Sequence, residues 1–405
     1  MLIAILWAVM SAAPGDHWPG FRGDGTSLTA ATRLPAEWSD ATNVGWSVAI
    51  PGYGQSSPVV WGDRIFVSST EGDEKDRLLV SCFAIGTGEK LWSKEFASTQ
   101  KVKVSDYVSR GAPTPVVDAE RVYAFFESGD LIALSQNGEL AWQRSLVKDY
   151  GEFQGNHGVG ASIGATTDSI IALVDHSGPS YLLAVNKATG ENRWKVDRET
   201  KVSWSSPLVR ERNGQAEIVV SSNGFVDCYA AKSGERLWWV TGVDGNTVAS
   251  PTLSDDVVLI GSSKANQNLA VSSDGRGDVT ATAVKWRAAD ATSSFGSPLV
   301  AHGVAYFVNR SGVLYAVDPT SGATLWNERL PDSCWASPIA ADGKIFLFTK
   351  GGATVVMQGG REQKRLAENV LTVEGRIYGV AAVNGAFIVR SGNRLWKLSE
   401  MAKSP

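Results

Sequence analysis

Most residues that could do chemistry in this chain sit in two polar stretches. Ser98 to Gly111 holds Tyr107 and Arg110, and Val147 to Gly160 holds Glu152, Asn156 and His157. A guanidinium such as Arg110 offers paired N–H donors, which suits a carboxylate or phosphate. Glu152 with Asn156 offers oxygen ligands to a hard cation. The same side chains also fit plain solvated loops, and a lone His157 fits a hydrogen-bonded loop residue as readily as a base or a ligand. No His-Glu-x-x-His, no phosphate loop ending in Gly-Lys-Ser/Thr and no Cys-x-x-Cys occurs. Zinc hydrolysis, nucleotide binding and dithiol chemistry use those patterns. No residue is therefore assigned a catalytic role, and none a metal.

Composition narrows the class of protein that positions these residues. With 38 Lys and Arg against 42 Asp and Glu the net charge is −4, which argues against a nucleic-acid or anionic-membrane partner. Hydrophobic residues at 43% and charged residues at 20% exclude intrinsic disorder. The apolar run Leu2 to Met10, followed by Ser11-Ala12-Ala13, reads as a secretory signal over residues 1–13. It is too short to span a bilayer, and no other run is long enough to do so. Cys82 is the first cysteine, so no N-terminal cysteine offers itself for lipidation; Cys82, Cys228 and Cys334 read as buried small residues. The expectation is a soluble, monomeric, secreted or periplasmic protein without a lipid anchor.

The outliers are 42 Gly and 15 Trp, and both belong to a repeat. Gly-x-x-x-Trp recurs with its tryptophan at Trp92, Trp142, Trp194, Trp238 and Trp326, while Trp46 and Trp286 fall in step without the glycine. These seven tryptophans lie 40 to 52 residues apart. Ser-Pro or Thr-Pro opens most units, as at Ser57-Pro58, Thr114-Pro115, Ser206-Pro207, Ser250-Pro251, Ser297-Pro298 and Ser337-Pro338. Proline at the first residue of a strand costs no ladder bond. Each unit then alternates short apolar runs with polar turns, the pattern of a four-stranded antiparallel propeller blade. A seventh unit without tryptophan places Lys364 at the docking position, and the last unit lacks a fourth strand. Residues 43–50, which carry Trp46, have no strands of their own before them. Pairing these two incomplete pieces predicts an all-β fold, one eight-bladed propeller over residues 43–400. An N-terminal extension over 14–42 precedes it and a tail over 401–405 follows.

The Gly-x-x-x-Trp units with their Ser-Pro openings resemble the tryptophan-docking propellers of the pyrroloquinoline quinone (PQQ) repeat superfamily. The resemblance implies that each repeat tryptophan packs between neighbouring blades. Two branches of the superfamily imply different functions. Quinoprotein dehydrogenases hold PQQ and a divalent metal over the central funnel and oxidise alcohols or sugars. The BamB branch is a cofactor-free scaffold of the outer-membrane β-barrel assembly machinery. This chain lacks both the adjacent cysteine pair of many dehydrogenases and the lipidated cysteine of the scaffold branch.

In such a propeller the segments entering the innermost strands face the funnel. Three residues before each strand-opening proline, or its equivalent, stand Gln55, Ala112, Gly160, Trp204, Val248, Phe295, Trp335 and Ile377. Trp204, Phe295 and Trp335 form either an aromatic wall for a planar ring or sugar face or a plug of core side chains. Neighbouring blades would bring Arg110, Tyr107, Glu152, Asn156 and His157 to the same pocket. The first expectation is a non-catalytic scaffold with an envelope protein partner or a small ligand at the funnel. The second is a PQQ dehydrogenase, with Ca²⁺, using Trp204, Trp335, Arg110 and Glu152, and the third is a glycan binder. Converging carboxylates would favour the quinoprotein, a filled mouth the scaffold. Gly261 to Asp278 reads as an expanded surface loop, and Trp18 and Phe21 are expected to tuck against the ring.

Overall fold

A computed structural model describes residues 15–104, 109–155, 157–199 and 201–400. The signal segment 1–13, Tyr107, Asn156 and the tail lie outside them. Eight antiparallel sheets follow one another around a ring. We number the blades by their innermost strands, from Val59–Trp61 in blade 1 to Gly379–Val383 in blade 8. The single helix among the described residues is the five-residue Leu146–Tyr150, and no helix is long and apolar enough to cross a membrane. The outermost strand of blade 8 is Val44–Ala49, which pairs antiparallel with Arg394–Leu398, Trp46 standing opposite Lys397. The beginning of the propeller thereby closes its end and removes the open edge.

The repeat motif turns out to join one blade to the next. The motif glycine of each blade lies on the tryptophan of the blade before it. A Cβ on Gly88, whose φ is 75°, would come within 2.8 Å of the Trp46 ring, so both the conformation and the space demand glycine. Gly138, Gly190, Gly234 and Gly322 cover Trp92, Trp142, Trp194 and Trp286 in the same way. The indole N–H then donates to a carbonyl of that neighbouring turn: Trp46 to Ile85, Trp92 to Gln136, Trp142 to Lys187, Trp194 to Ala231 and Trp286 to Pro319, at 2.8–3.0 Å. A bulge just before each of these tryptophans leaves one residue unpaired.

Trp238 and Trp326 are the exceptions, for they have no such glycine and their buried indole N–H groups lack an acceptor. The blade after Trp238 has Thr282 at the glycine position. The residues before it run back along the outer strand of blade 4, Gly277 pairing with Trp238 in a parallel bridge. Gly261 to Asp278 is therefore not a surface loop. It contains the buried third strand of blade 5, Asn268–Ser272, and an added fifth strand on blade 4. In blade 7 the register puts Ala367 opposite Val356, so Ala367, and not Lys364, occupies the docking position. Trp142→Phe is expected to cost about 1 kcal/mol more than Trp238→Phe in urea unfolding, because only the first substitution removes a hydrogen bond.

The serines of the Ser-Pro pairs build a second ring around the axis. The backbone N–H of Ser57 donates to Thr114 Oγ1, Thr114 to Ser162 Oγ, Ser162 to Ser206, Ser206 to Ser250, Ser250 to Ser297 and Ser297 to Ser337, at 2.9–3.1 Å. Each strand opening thus satisfies a donor of the previous blade. The series stops at blade 8, where Gly379 takes the serine position against Ser57.

The N-terminal extension crosses the far end of the channel and touches widely separated blades. His17 and Trp18 add a strand to blade 1, and Trp18 is 2% exposed. Pro19 accepts from Val117 of blade 2. Arg22, fully buried, reaches the carbonyls of Pro251 and Pro298 and the Thr252 hydroxyl in blades 5 and 6. Burial pushes its pKa down to about 9. Ser27 and Thr29 then pair with Ala340 of blade 7.

Candidate functional site

The opposite end of the channel opens into a cavity of about 520 Å³. The strand-entry positions supply much of its wall: Gln55, Ala112, Gly160, Trp204, Val248, Phe295 and Trp335 all line it. Ile377 does not; it is buried in the core, and Arg376 and Tyr378 on either side of it face the cavity instead. Phe21 of the N-terminal extension lines this cavity and also a smaller one of about 280 Å³ at the far end, and so forms part of the floor between them.

The aromatic residues form a wall around open space. Phe295 stacks on Trp335 with ring centres 4.7 Å apart, and Trp335 meets Tyr378 edge-on at 5.6 Å. The Tyr378 and Tyr53 hydroxyls share a 2.7 Å hydrogen bond. Burial, and then this bond, push the Tyr53 pKa up. Trp204 is held by its indole N–H on the Gly158 carbonyl and its backbone N–H on Thr247, at 2.8 and 2.7 Å. Gly392 leaves room for the Tyr53 ring, since a Cβ there would lie 2.1 Å from it.

Cations gather around this wall. The Arg376 guanidinium lies 5.0 Å from the Trp335 ring centre, and Arg110 lies 4.3 Å from that of Tyr53. Behind them Arg390 is buried among carbonyls of Ser56 and Ser68, with no carboxylate partner among the described residues. Burial pushes its pKa down to about 9, so it keeps its charge at neutral pH. Arg110 donates its backbone N–H to Gln55 Oε1 at 3.1 Å but is absent from the cavity wall. The loop that carries it is fixed by a buried ion pair. Lys75 Nζ stands 3.1 Å from Glu127, which accepts the Gly111 N–H, while Lys75 also donates to the Ser109 carbonyl.

The remaining sequence candidates separate. His157 lines the cavity with its ring 5.8 Å from Trp204. Glu152 is exposed on its loop and does not line the cavity. Sequence reasoning passed over Gly160-Ala161-Ser162-Ile163-Gly164, which has the spelling of a hydrolase elbow; it leads into a two-residue strand instead of a helix. Ser162 Oγ is part of the inter-blade ring. The Asn309 side chain caps its own hairpin, accepting from Ser311 and Val313. Sequence reasoning missed Tyr53, Arg376 and Tyr378; the absent Ser-Pro pair in the last unit was the one sign that its entry residues are offset.

Beside Trp204, His176 is buried, with Nδ1 accepting from the backbone N–H groups of Gln154 and Gly178 at 2.9 and 3.0 Å. Burial lowers its pKa. Between that lowered value and about 6.5 the unfolded chain binds the proton and the folded chain does not, so stability falls as pH drops through this window. Urea unfolding between about pH 7.5 and about pH 5.5 is expected to show a shallower decline for His176→Gln than for the parent.

The family model of the outer membrane protein assembly factor BamB matches residues 4–161, 149–284 and 178–404. The chain belongs to this family. The BamB of Moranella endobia is 26% identical over 361 residues, covering 82% of this chain and 84% of that one. Among solved structures, BamB from Moraxella catarrhalis superimposes with a TM-score of 0.63 at 14% identity, over 87% of this chain and 99% of that one. A europium-containing methanol dehydrogenase gives 0.60 at 12% identity, over 94% and 91%. At such identities the structural likeness speaks for the propeller fold alone. Among the described residues that line the funnel of this BamB-family chain there is no Asp or Glu. Among the described residues no three His, Cys, Asp or Glu side chains are grouped to hold a metal. A divalent ion under a quinone needs converging oxygen ligands, and this donor set does not fit it.

Proposed function

We propose that the chain is a periplasmic, non-catalytic propeller that serves outer-membrane protein assembly by holding an envelope protein partner. The observation that carries this reading is the match to the BamB family along nearly the whole chain. The funnel is open and not filled, and among the described residues its wall of aromatic, hydroxyl and cationic groups carries no carboxylate to act as a general base. Residues 1–13 supply the export signal in this reading. The test is cross-linking of the full-length protein in its native envelope, followed by identification of what is attached. Recovery of a component that inserts outer-membrane β-barrels is the expected result. Dye-linked oxidation of an alcohol by purified protein supplied with PQQ and Ca²⁺, with no such component attached, would overturn the reading.

A further inference from the structure

The funnel is donor-rich and acceptor-poor to a degree that holding the blades together does not require. Thr114, Ser162, Ser206 and Ser250 line the cavity. Each uses its hydroxyl oxygen to accept a backbone N–H from the neighbouring blade, and none donates its O–H to an acceptor among the described residues. Gln55 spends its oxygen on the Arg110 N–H, which leaves the amide nitrogen as its spare group. Arg376 makes no ion pair among the described residues and stands over Trp335 at the cavity wall. Charge and hydrogen-bonding capacity therefore point the same way. A carboxylate has acceptors only, and the aromatic wall of Phe295, Trp335 and Trp204 suits a flat apolar body.

We propose that the funnel is a ligand site in its own right, for a small planar aromatic carboxylate bound without a metal ion. The carboxylate takes the Arg376 guanidinium and the spare hydroxyl and amide donors, and the ring lies along Trp335 and Phe295. A cationic ligand meets Arg376 at the wall, with no Asp or Glu among the described residues that line the cavity, and a neutral ring leaves the donors unused. This site does not depend on the scaffold reading, since a protein partner can sit on the blades while the funnel is filled.

The experiment is calorimetric titration of the full chain with three probes of one shape: 2-naphthoate, 2-naphthalenemethanol and 2-naphthylmethylamine. Naphthoate is expected to bind about tenfold or more tightly than the alcohol, and the amine not measurably. Arg376→Gln is expected to bring naphthoate affinity down to within about twofold of that of the alcohol, and Trp335→Ala to weaken both. Melting curves on each variant separate loss of the site from loss of the fold. Equal binding of all three probes, no binding of naphthoate at millimolar concentration, or a preference that survives Arg376→Gln would each overturn the proposal. None of these outcomes bears on whether an assembly partner cross-links.

Discussion

Lys75→Met is expected to destabilise the protein by about 3–5 kcal/mol, because it strands the Glu127 carboxylate in the interior. The two side chains are 3% and 2% exposed, so solvent offers Glu127 little relief. An exposed pair at the same distance would be worth about 0–1 kcal/mol, which is the result that contradicts this account. The double variant Lys75→Met, Glu127→Leu removes the stranded charge and should recover part of the loss. Recovery stays incomplete by about 1–3 kcal/mol, since Glu127 also accepts the buried Gly111 N–H. Urea unfolding of the parent and both variants measures the series. Because Ser109 and Gly111 hang on this pair, the single variant should also weaken any ligand that touches Ser109 in the funnel.

Gly379→Ser should lower stability by about 3 kcal/mol, although six of the other seven blades carry serine at this place and the seventh carries threonine. Copying the repeat looks like a repair that would complete the hydroxyl ring. At this seam, however, a Cβ would stand 2.2 Å from Ser57 Oγ and 2.5 Å from Ser57 Cα. The second contact is with backbone, which does not yield as a flexible side chain does, and overpacking of this kind costs about 1–3 kcal/mol or more. The clash lies between blades 8 and 1, and blade 8 is the one that Val44–Ala49 completes, so partial opening and faster proteolysis of residues 44–49 should accompany the loss. Unchanged unfolding and proteolysis would mean that the blades can separate there without cost.

The two predictions mark the limit of the repeat as a guide. Gly-x-x-x-Trp revealed the blades because turn and strand preferences act over a few residues, and the same local signals recur from blade to blade, five times in full. The purpose of the glycine stayed hidden, since it serves the tryptophan of the preceding blade, 36 to 48 residues earlier. Ser-Pro was read through its proline, whereas the serine contributes the inter-blade bond. Trp204, Phe295 and Trp335 were picked out by spacing alone, and they do line one cavity. Glu152 was picked out as a loop carboxylate, and its loop leaves it in solvent.

The order of residues by itself determined the class of fold, the number of blades and the strand exchange that closes the ring, because each follows from short-range periodicity counted along the chain. Only the tertiary structure decided what the funnel offers. Eight entry segments each contribute one to three residues to it, and in the last blade Ile377 is buried while Arg376 and Tyr378 on either side of it reach the wall. The N-terminal extension was legible as a segment that packs on the ring. That Phe21 would form its floor, with Arg22 anchored across to blades 5 and 6, depends on contacts more than 200 residues apart in sequence, which no local pattern encodes.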